Sequence, residues 1–204
     1  MIRLLQRDRR LYLGLDGDSS QMDYHYCPLC GGSLTVYPES NRPRRYCPQC
    51  GFIHYKNPTV GVAVIILQRD EVLLIKRRGS YDGMWCIPCG HVEWDEDIRL
   101  CARRELEEET GLKIELGPVF DVHSNFHDPD HQTVGVWFMG KVSGGELQPG
   151  SDAREAKFFA LDRLPEKMAF PTDLLICQKL KKIVLDEKDG MARLCEEYGE
   201  YFIA

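Results

Sequence analysis

Acidic side chains concentrate in residues 90–112, which read GHVEWDEDIRLCARRELEEETGL. Glu105, Glu108 and Glu109 stand at positions i, i+3 and i+4, so on a helix they share one face. A solvated acidic face is the ordinary interpretation of such a cluster. Three converging carboxylates, however, supply the hard oxygen ligands that Mg2+ or Mn2+ prefers and zinc does not. The fixed spacing, with a loop glycine and an arginine nearby, favours a divalent-cation site.

The helix that carries these glutamates is predicted from its end signals and its apolar spacing. Asp95 is the expected N-cap, and Gly111 suits the left-handed residue that follows a helix end. Ile98, Ala102 and Leu106 recur every four residues and form an apolar stripe. We therefore expect this helix to pack on a sheet through the stripe.

The whole segment resembles the signature of the Nudix hydrolases. Gly90 is followed after five residues by Glu96, and after seven more by Arg104-Glu105-Leu106, Glu108-Glu109 and Gly111-Leu112. The resemblance implies a Mg2+-dependent enzyme that splits a pyrophosphate linking a nucleoside to another group. It also implies that Glu105, Glu108 and Glu109 hold the metal ions, with the carbonyl of Cys89 as a further ligand. Glu105 is the family's usual candidate for the general base.

Three further residues receive roles from the same resemblance. Arg104 and Glu96 are expected to orient the metal-binding carboxylates without touching substrate, as hydrogen-bonding residues behind metal ligands commonly do. Glu155 precedes Phe158-Phe159, where the family often has a glutamate ahead of a strand aromatic. We predict metal binding or base catalysis for Glu155, with a surface glutamate at a strand start as an equal alternative.

Two cysteine knuckles precede this segment. Cys27-Pro-Leu-Cys30-Gly and Cys47-Pro-Gln-Cys50-Gly are separated by 16 residues, a spacing typical of a zinc ribbon with four thiolate ligands. Because four protein ligands leave no open coordination position, the Zn2+ is predicted to be structural. A disulfide-bonded pair is the alternative. Arg42, Arg44 and Arg45 lie between the knuckles, either solvated or in contact with an anionic partner.

The periodicity of the chain predicts a two-module α/β protein. Strands are expected at 60–67, 71–76, 114–122, 133–142 and 156–161, and a closing helix from Asp173 to about Asp186 with Thr172 as its cap. Strands mixed with two helices match the Nudix α/β/α sandwich with a mixed sheet. The predicted organisation is an N-terminal extension (1–22), a zinc ribbon (23–56), a Nudix domain (57–187) and a tail (188–204).

Composition limits the setting and the partners. The 204 residues carry a net charge of −6, which argues against tight nonspecific binding to nucleic acid, although residues 1–50 carry +2. No apolar run approaches the roughly 20 residues of a membrane span, and the N-terminus does not resemble a secretory signal. The cysteine usage predicts a reducing, cytoplasmic setting without a membrane partner. The pair Cys86 and Cys89 resembles a thioredoxin-type redox motif, but a redox function is not favoured, because that motif needs its cysteines at a helix N-terminus and these precede a loop.

The substrate is predicted less sharply than the reaction. Arg77 and Arg78 are candidates for contacting the diphosphate, Phe126 for stacking on a base and His127 for contacting a phosphate. The ribbon with a Nudix domain resembles two groups: enzymes acting on ADP-ribose or FAD, and NADH pyrophosphatases. The array S-Q-P-W-P-F-P-x-S of the second group is absent from residues 121–131, which favours the first. The alternatives are NADH or NAD-RNA cleavage, with RNA as a partner, and a non-enzymatic nucleotide sensor that binds nucleic acid. A homodimer is expected by resemblance alone.

Overall fold

The computed structural model describes residues 24–37, 42–186 and Glu196. The chain divides into two compact units: residues 1–58 with Asp128–His131, and Thr59–His127 with Gln132–Ala204. The predicted N-terminal extension, 1–22, lies outside the described residues, as does the predicted tail, 188–204, apart from Glu196. No helix within the described ranges is long and apolar enough to cross a membrane.

The first unit contains a small antiparallel sheet. Its strands β1 (Thr35–Val36), β2 (Arg45–Tyr46) and β3 (Ile53–His54) lie in chain order. Each knuckle ends in a left-handed glycine, Gly31 at φ 74° and Gly51 at φ 79°, a conformation that costs glycine little because it has no Cβ. These turns bring the two knuckles together around buried Cys27 and Cys47.

The second unit is built on a mixed seven-stranded sheet. In chain order its strands are β4 (Thr59–Gln68), β5 (Glu71–Arg77), β6 (Trp85–Cys86), β7 (Cys89–His91), β8 (Leu112–Asn125), β9 (Thr133–Gly145) and β10 (Ala153–Ala160). The path across the sheet is β10-β5-β4-β9-β8, with β6 paired to β5 and β7 to β4. Only β4 and β9 are parallel; the other pairs are antiparallel.

Two helices cover the two faces of this sheet, α1 (Ile98–Thr110) and α2 (Pro171–Lys181). Successive strand residues point to opposite faces, so β4 supplies both layers. Val62, Val64 and Ile66 pack with Ala102 and Leu106 of α1. The alternate β4 residues on the other face pack with α2 (Ala63, Ile65 and Leu67 with Ile176, Cys177 and Leu180). The predicted α/β/α sandwich with a mixed sheet is confirmed.

Both helix starts differ from the prediction. The N-cap of α1 is Asp97, not Asp95, because Asp97 Oδ1 accepts hydrogen bonds from the amides of Arg99 (2.9 Å) and Leu100 (3.2 Å). The second helix begins at Pro171, whose missing N–H is harmless in a first turn. Thr172 is therefore inside the helix, and its hydroxyl lies 2.7 Å from Asn125 Oδ1 and does not cap. A single π turn, Lys182–Asp186, follows α2.

Candidate active site

We call the signature segment, residues 90–112, the box. Its last glutamate on α1 is almost completely buried. Glu109 is 1% exposed, and its Oε2 accepts a hydrogen bond from the Cys89 amide at 2.8 Å. Its Oε1 is the one buried side-chain oxygen or nitrogen within the described ranges that lacks a hydrogen-bond partner. Burial raises the pKa of Glu109 well above its usual value, and the Cys89 hydrogen bond offsets this only in part. The position therefore holds an acceptor that needs a cation or a proton.

Glu105 lies one helical turn away, against Gly90 of β7. A Cβ built on Gly90 would stand 1.9 Å from Glu105 Cδ and 2.2 and 2.3 Å from its carboxylate oxygens. Partial burial raises the pKa of Glu105, although Arg104 opposes the rise. Glycine is thus required at this position because the carboxylate of Glu105 occupies the space of a side chain.

We expect Gly90→Ala to lower kcat by about 10²-fold or more while the protein stays folded, because a displacement near 1 Å at reacting groups costs about this much. The end of the Glu105 side chain can move aside, so the added methyl group should displace the carboxylate more than the backbone. Steady-state hydrolysis and thermal melting check this. Gly144→Ala is the control, because no atom lies within 4 Å of its added Cβ. Unchanged kcat in Gly90→Ala would contradict the expectation.

Arg104 connects the glutamates of α1 to Glu96, which lies just before the helix. Its Nε and Nη2 donate to the two oxygens of Glu96, at 2.7 and 2.8 Å. Its Nη1 donates to Glu105 at 2.9 Å and to Glu108 at 3.1 Å. The guanidinium holds the pKa of Glu96 down to about 2. The Arg104 side chain thus positions Glu105 and Glu108, which the sequence predicts as metal ligands. Glu96 in turn holds Arg104 in place.

Asp152 lies close to this site, whereas the sequence predicts a role for Glu155 of the same segment. Asp152 helps to raise the pKa of both Glu105 and Glu109 and lies 3.6 Å from Arg77 Nη2. Glu155 instead accepts from Lys76 Nζ at 2.8 Å and Lys157 Nζ at 3.1 Å, and the two lysines lower its pKa. Asp152 stands immediately before β10, and the pairing of β10 with β5 shifts between Ala153 and Glu155, so strand alternation alone does not indicate which acid lies near the glutamates of α1.

The two adjacent arginines at the end of β5 differ in surroundings. The Arg77 side chain is 14% exposed; its Nη1 lies 3.8 Å from Cys86 Sγ and 3.7 Å from Cys89 Sγ. Arg78 is exposed, and its amide donates to the Asp152 carbonyl at 2.5 Å. Arg77 therefore lies among the residues behind the box loop, whereas Arg78 turns to solvent. The hydrogen bond with Cys86, and then burial, raise the pKa of Cys89, which disfavours the reactive thiolate.

An aromatic cluster adjoins Arg77. The Arg77 guanidinium lies over the Phe170 ring at 5.4 Å, and Tyr81 and His127 meet the same ring at 5.2 and 5.6 Å between centroids. The Tyr81 hydroxyl and His127 Nε2 are 3.0 Å apart. Two residues near this cluster are predicted substrate contacts. His127 is part of the cluster, whereas the Phe126 side chain is 51% exposed. Tyr81 and Phe170 were not foreseen, because they come from distant segments without a shared motif.

A further residue that the sequence did not predict, Asp173, holds the segment between β6 and β7. It is 2% exposed and accepts from the Ile87 amide at 3.0 Å and from Trp137 Nε1 at 3.1 Å. Burial raises the pKa of Asp173 from 3.8 to about 7, and the two hydrogen bonds offset part of the rise. Asp173 thereby connects α2 and β9 to Ile87, which stands two residues before the Cys89 amide that holds Glu109.

We expect Asp173→Asn to destabilise the fold by about 1–3 kcal/mol, since an amide nitrogen would face a buried donor. The pKa is raised on folding, so the stability linked to this group is complete below about pH 4 and is lost as pH rises through about 7. The amount by which the free energy of unfolding of the wild type exceeds that of the variant should therefore be larger at pH 5 than at pH 8. Urea unfolding at both values tests this, with exposed Asp162→Asn as the control. A difference that is flat with pH would contradict it.

The ribbon cysteines form a compact cluster. The Sγ atoms of Cys27, Cys30, Cys47 and Cys50 all lie within 4.8 Å of one another. This arrangement suits one tetrahedral ion and leaves no position for a substrate. Among the described cysteines none forms a disulfide.

The sandwich, the glutamate helix and the glycine loop define a Nudix hydrolase domain, and family comparison agrees. Residues 57–178 match the NUDIX domain and residues 25–56 match the Nudix N-terminal zinc ribbon. The chain belongs to the Nudix hydrolase family and is an enzyme whose catalytic cofactor is Mg2+ or Mn2+. The four-cysteine cluster is its structural zinc site.

Three known proteins are similar to this chain. An ADP-ribose pyrophosphatase from Methanocaldococcus jannaschii is 39% identical over 124 residues, which cover 60% of this chain and 73% of that protein. The NAD-capped RNA hydrolase NudC from Stutzerimonas stutzeri is 27% identical over 168 residues, 82% of this chain but 58% of NudC. The crystal structure of a NUDIX hydrolase from Nitrosomonas europaea superposes with a TM-score of 0.67 at 30% identity and covers 78% of this chain and 92% of that one.

Proposed function

We propose that this Nudix hydrolase cleaves ADP-ribose, or a dinucleotide such as FAD, at its pyrophosphate. The observation that carries the proposal is the 39% identity to an ADP-ribose pyrophosphatase over 124 residues. Cleavage of ADP-ribose would release AMP and ribose 5-phosphate.

Glu105, Glu108 and Glu109, with the Cys89 carbonyl, are the proposed metal ligands. The donor set fits Mg2+ or Mn2+: it consists of oxygens, two of its carboxylates have raised pKa values, and Glu109 Oε1 has no protein partner. When bound, such an ion neutralises diphosphate oxygens and lowers the pKa of water. Asp152 is a further carboxylate near enough to contribute charge.

The protein's own groups have three proposed tasks. Arg104, held by Glu96, keeps Glu105 and Glu108 in place, so that little reorganisation is needed when substrate arrives. Glu105 is the proposed base that accepts the proton of the attacking water, because its raised pKa favours accepting one. Glu155 stays a weaker candidate for this task because two lysines neutralise it.

The aromatic cluster of Tyr81, His127 and Phe170 is the proposed substrate-recognition surface. Arg77 connects it to the box carboxylates, and a ring surface beside a cation suits a base next to a diphosphate. Tyr81, four residues after Arg77, and Ser151, directly before Asp152, hold left-handed backbone angles, φ 59° and 50°. Strain of this kind concentrates where a structure must hold a functional geometry. Arg78 and Phe126 remain proposed contacts.

A product assay tests the substrate directly. ADP-ribose, FAD, NADH and a nucleoside triphosphate are incubated with Mg2+ or Mn2+, and the nucleotide products are separated by chromatography. We expect ADP-ribose to have the highest kcat/KM. Failure to release AMP from ADP-ribose or FAD would overturn the proposal.

Substitution of the aromatic cluster tests recognition. Phe170→Ala should raise KM for ADP-ribose about tenfold with a small change in kcat, because stacking of a base on a ring contributes about 1–3 kcal/mol. Phe170→Tyr keeps the ring and should stay within about threefold of wild type. Equal KM values in wild type and Phe170→Ala would show that the aromatic cluster does not bind the substrate.

NAD-capped RNA is the second candidate substrate. Its support is the 27% identity to NudC over 168 residues, a match that spans 82% of this chain. The absence of the S-Q-P-W-P-F-P-x-S array from residues 121–131 stands against it. Comparison of kcat/KM for free NAD and for an RNA that begins with NAD separates the two.

The proposed setting is the cytoplasm, supported by the lack of disulfides among the described cysteines. A homodimer is proposed only by resemblance, and sedimentation velocity tests it.

A further inference from the structure

One face of the ribbon sheet is aromatic. The register pairs Thr35 with Tyr46 and Arg45 with His54, so Tyr46 and its second neighbour Arg44 share a face. Tyr37 lies opposite Arg44, because its amide donates to the Arg44 carbonyl. Tyr55 follows β3 directly and, by continuation of the register, lies opposite Arg44 on the other side. Two contacts agree with this register: the Tyr37 and Tyr46 rings are 5.2 Å apart, and the Arg44 guanidinium lies 5.2 Å from the Tyr55 ring. We name Tyr37, Arg44, Tyr46 and Tyr55 the tyrosine face.

The tyrosine face is open to a partner. Tyr55 is 56% exposed, and Tyr37, Arg44 and Tyr46 are partly exposed. Three tyrosines on a short sheet are more than a core this small requires, because its buried residues are Cys27, Leu34 and Cys47, with Phe52 packed against them. Rings that remain accessible on a rigid sheet can stack on flat ligands.

Positive charge is local to the same strands. Residues 24–37 and 42–58 contain no aspartate or glutamate, but they contain Arg42, Arg44, Arg45 and Lys56. A zinc-loaded four-thiolate centre carries −2, and Asp128 and Asp130 belong to the same unit, so its net charge is close to zero. Attraction of an anion would therefore depend on the placement of Arg44 within the tyrosine face and of Arg42 two residues before it.

We propose that the tyrosine face binds a single-stranded nucleic acid. Stacking rings interleaved with a guanidinium match the alternation of bases and phosphates along such a strand. A duplex hides its bases and would offer phosphates alone, and an acidic peptide would use the arginines but not the rings. This binding site lies in the ribbon, does not require the hydrolytic residues and does not rest on the proposed substrate.

The test uses the full chain with zinc bound and a 3′-labelled, 5′-hydroxyl RNA 12-mer, which has no pyrophosphate to cleave. Fluorescence anisotropy at 50 mM salt should give a dissociation constant on the order of 10⁻⁵ M, in the range of weak, sequence-independent binding. Tyr55→Ala and Arg44→Glu should each weaken binding by about 5- to 10-fold. The duplex of the same sequence should bind at least about tenfold more weakly, since stacking is lost.

Matched variants separate stacking from general effects. Tyr55→Phe keeps the ring and should stay within about twofold of wild type. Arg163→Glu reverses an exposed arginine of the other unit and should also leave affinity unchanged. Each variant is checked for zinc content and for ADP-ribose hydrolysis, which the ribbon substitutions should not alter.

Three results would each overturn the proposal. The first is no saturable binding of RNA; the second is wild-type affinity in both Tyr55→Ala and Arg44→Glu. The third is binding of the duplex or of polyglutamate with the same affinity as the single-stranded RNA. If RNA fails to bind while ADP-ribose is hydrolysed, this inference fails and the proposed function stands. If RNA binds through the tyrosine face but ADP-ribose is not hydrolysed, the reverse holds.

Discussion

Replacement of Glu109 by glutamine should lower kcat by about 10³-fold or more, since loss of a metal-binding carboxylate removes about 4 kcal/mol of transition-state stabilisation. The fold should survive. Glutamine has the same shape, its carbonyl can accept the Cys89 amide, and its amino group would occupy the place of the oxygen that has no partner. Steady-state product release with saturating Mg2+ measures the effect.

Stability supplies a second readout for Glu109. Its pKa is raised in the folded protein, so as pH rises above the ordinary glutamate pKa the unfolded chain ionises more readily than the folded one, and the folded state loses stability. Without metal at neutral pH, Glu109→Gln should therefore melt at or above the wild-type temperature. Added Mg2+ should raise the Tm of the wild type and leave the variant unchanged, because ligand binding stabilises only a protein that can bind.

Glu107→Gln is the control on the same helix. Glu107 is half exposed and lies 3.8 Å from Lys113, away from the box carboxylates. Its replacement should leave kcat and the Mg2+-dependent Tm shift intact. Near-wild-type turnover in Glu109→Gln, or an equal Mg2+ shift, would refute the metal assignment.

Removal of zinc should unfold the ribbon. Structural zinc supplies about 10–16 kcal/mol in small zinc domains, and the apolar core of the ribbon is too small to replace that. Cys47 is fully buried within the cluster, so Cys47→Ser should abolish stoichiometric zinc binding. Chelation of the wild type should have the same effect on the ribbon.

Zinc analysis and amide NMR spectra of residues 24–58 measure this second effect. Cys101→Ala is the matched control, since Cys101 is a buried cysteine of α1 outside the cluster, and its variant should retain one zinc. Dispersed ribbon signals in the zinc-free protein would show that the metal is not required. Retention of one zinc by Cys47→Ser would exclude Cys47 as an essential ligand.

Local patterns in the sequence were sufficient for much of the site. The spacing of Glu105, Glu108 and Glu109 depends only on helix geometry, and the four cysteines depend only on knuckle spacing. The β4 run was readable as a buried strand because both of its faces are covered, so it is continuously apolar. The N-cap was misplaced by two residues, because several adjacent acids could each cap and only the hydrogen bonds of Asp97 select one.

The sequence by itself determined the family and its divalent-metal chemistry, and it gave the three glutamates proposed as ligands, because these follow from residues close together in one segment. Only the tertiary structure brought Asp152 near Glu105 and Glu109, gathered Arg77, Tyr81, His127 and Phe170, and bonded Asp173 to the Ile87 amide. The role of Glu155 stays a prediction. The gathered residues come from separate strands and helices. Their proximity is decided by strand pairing and by the packing of α2, which no local spacing encodes.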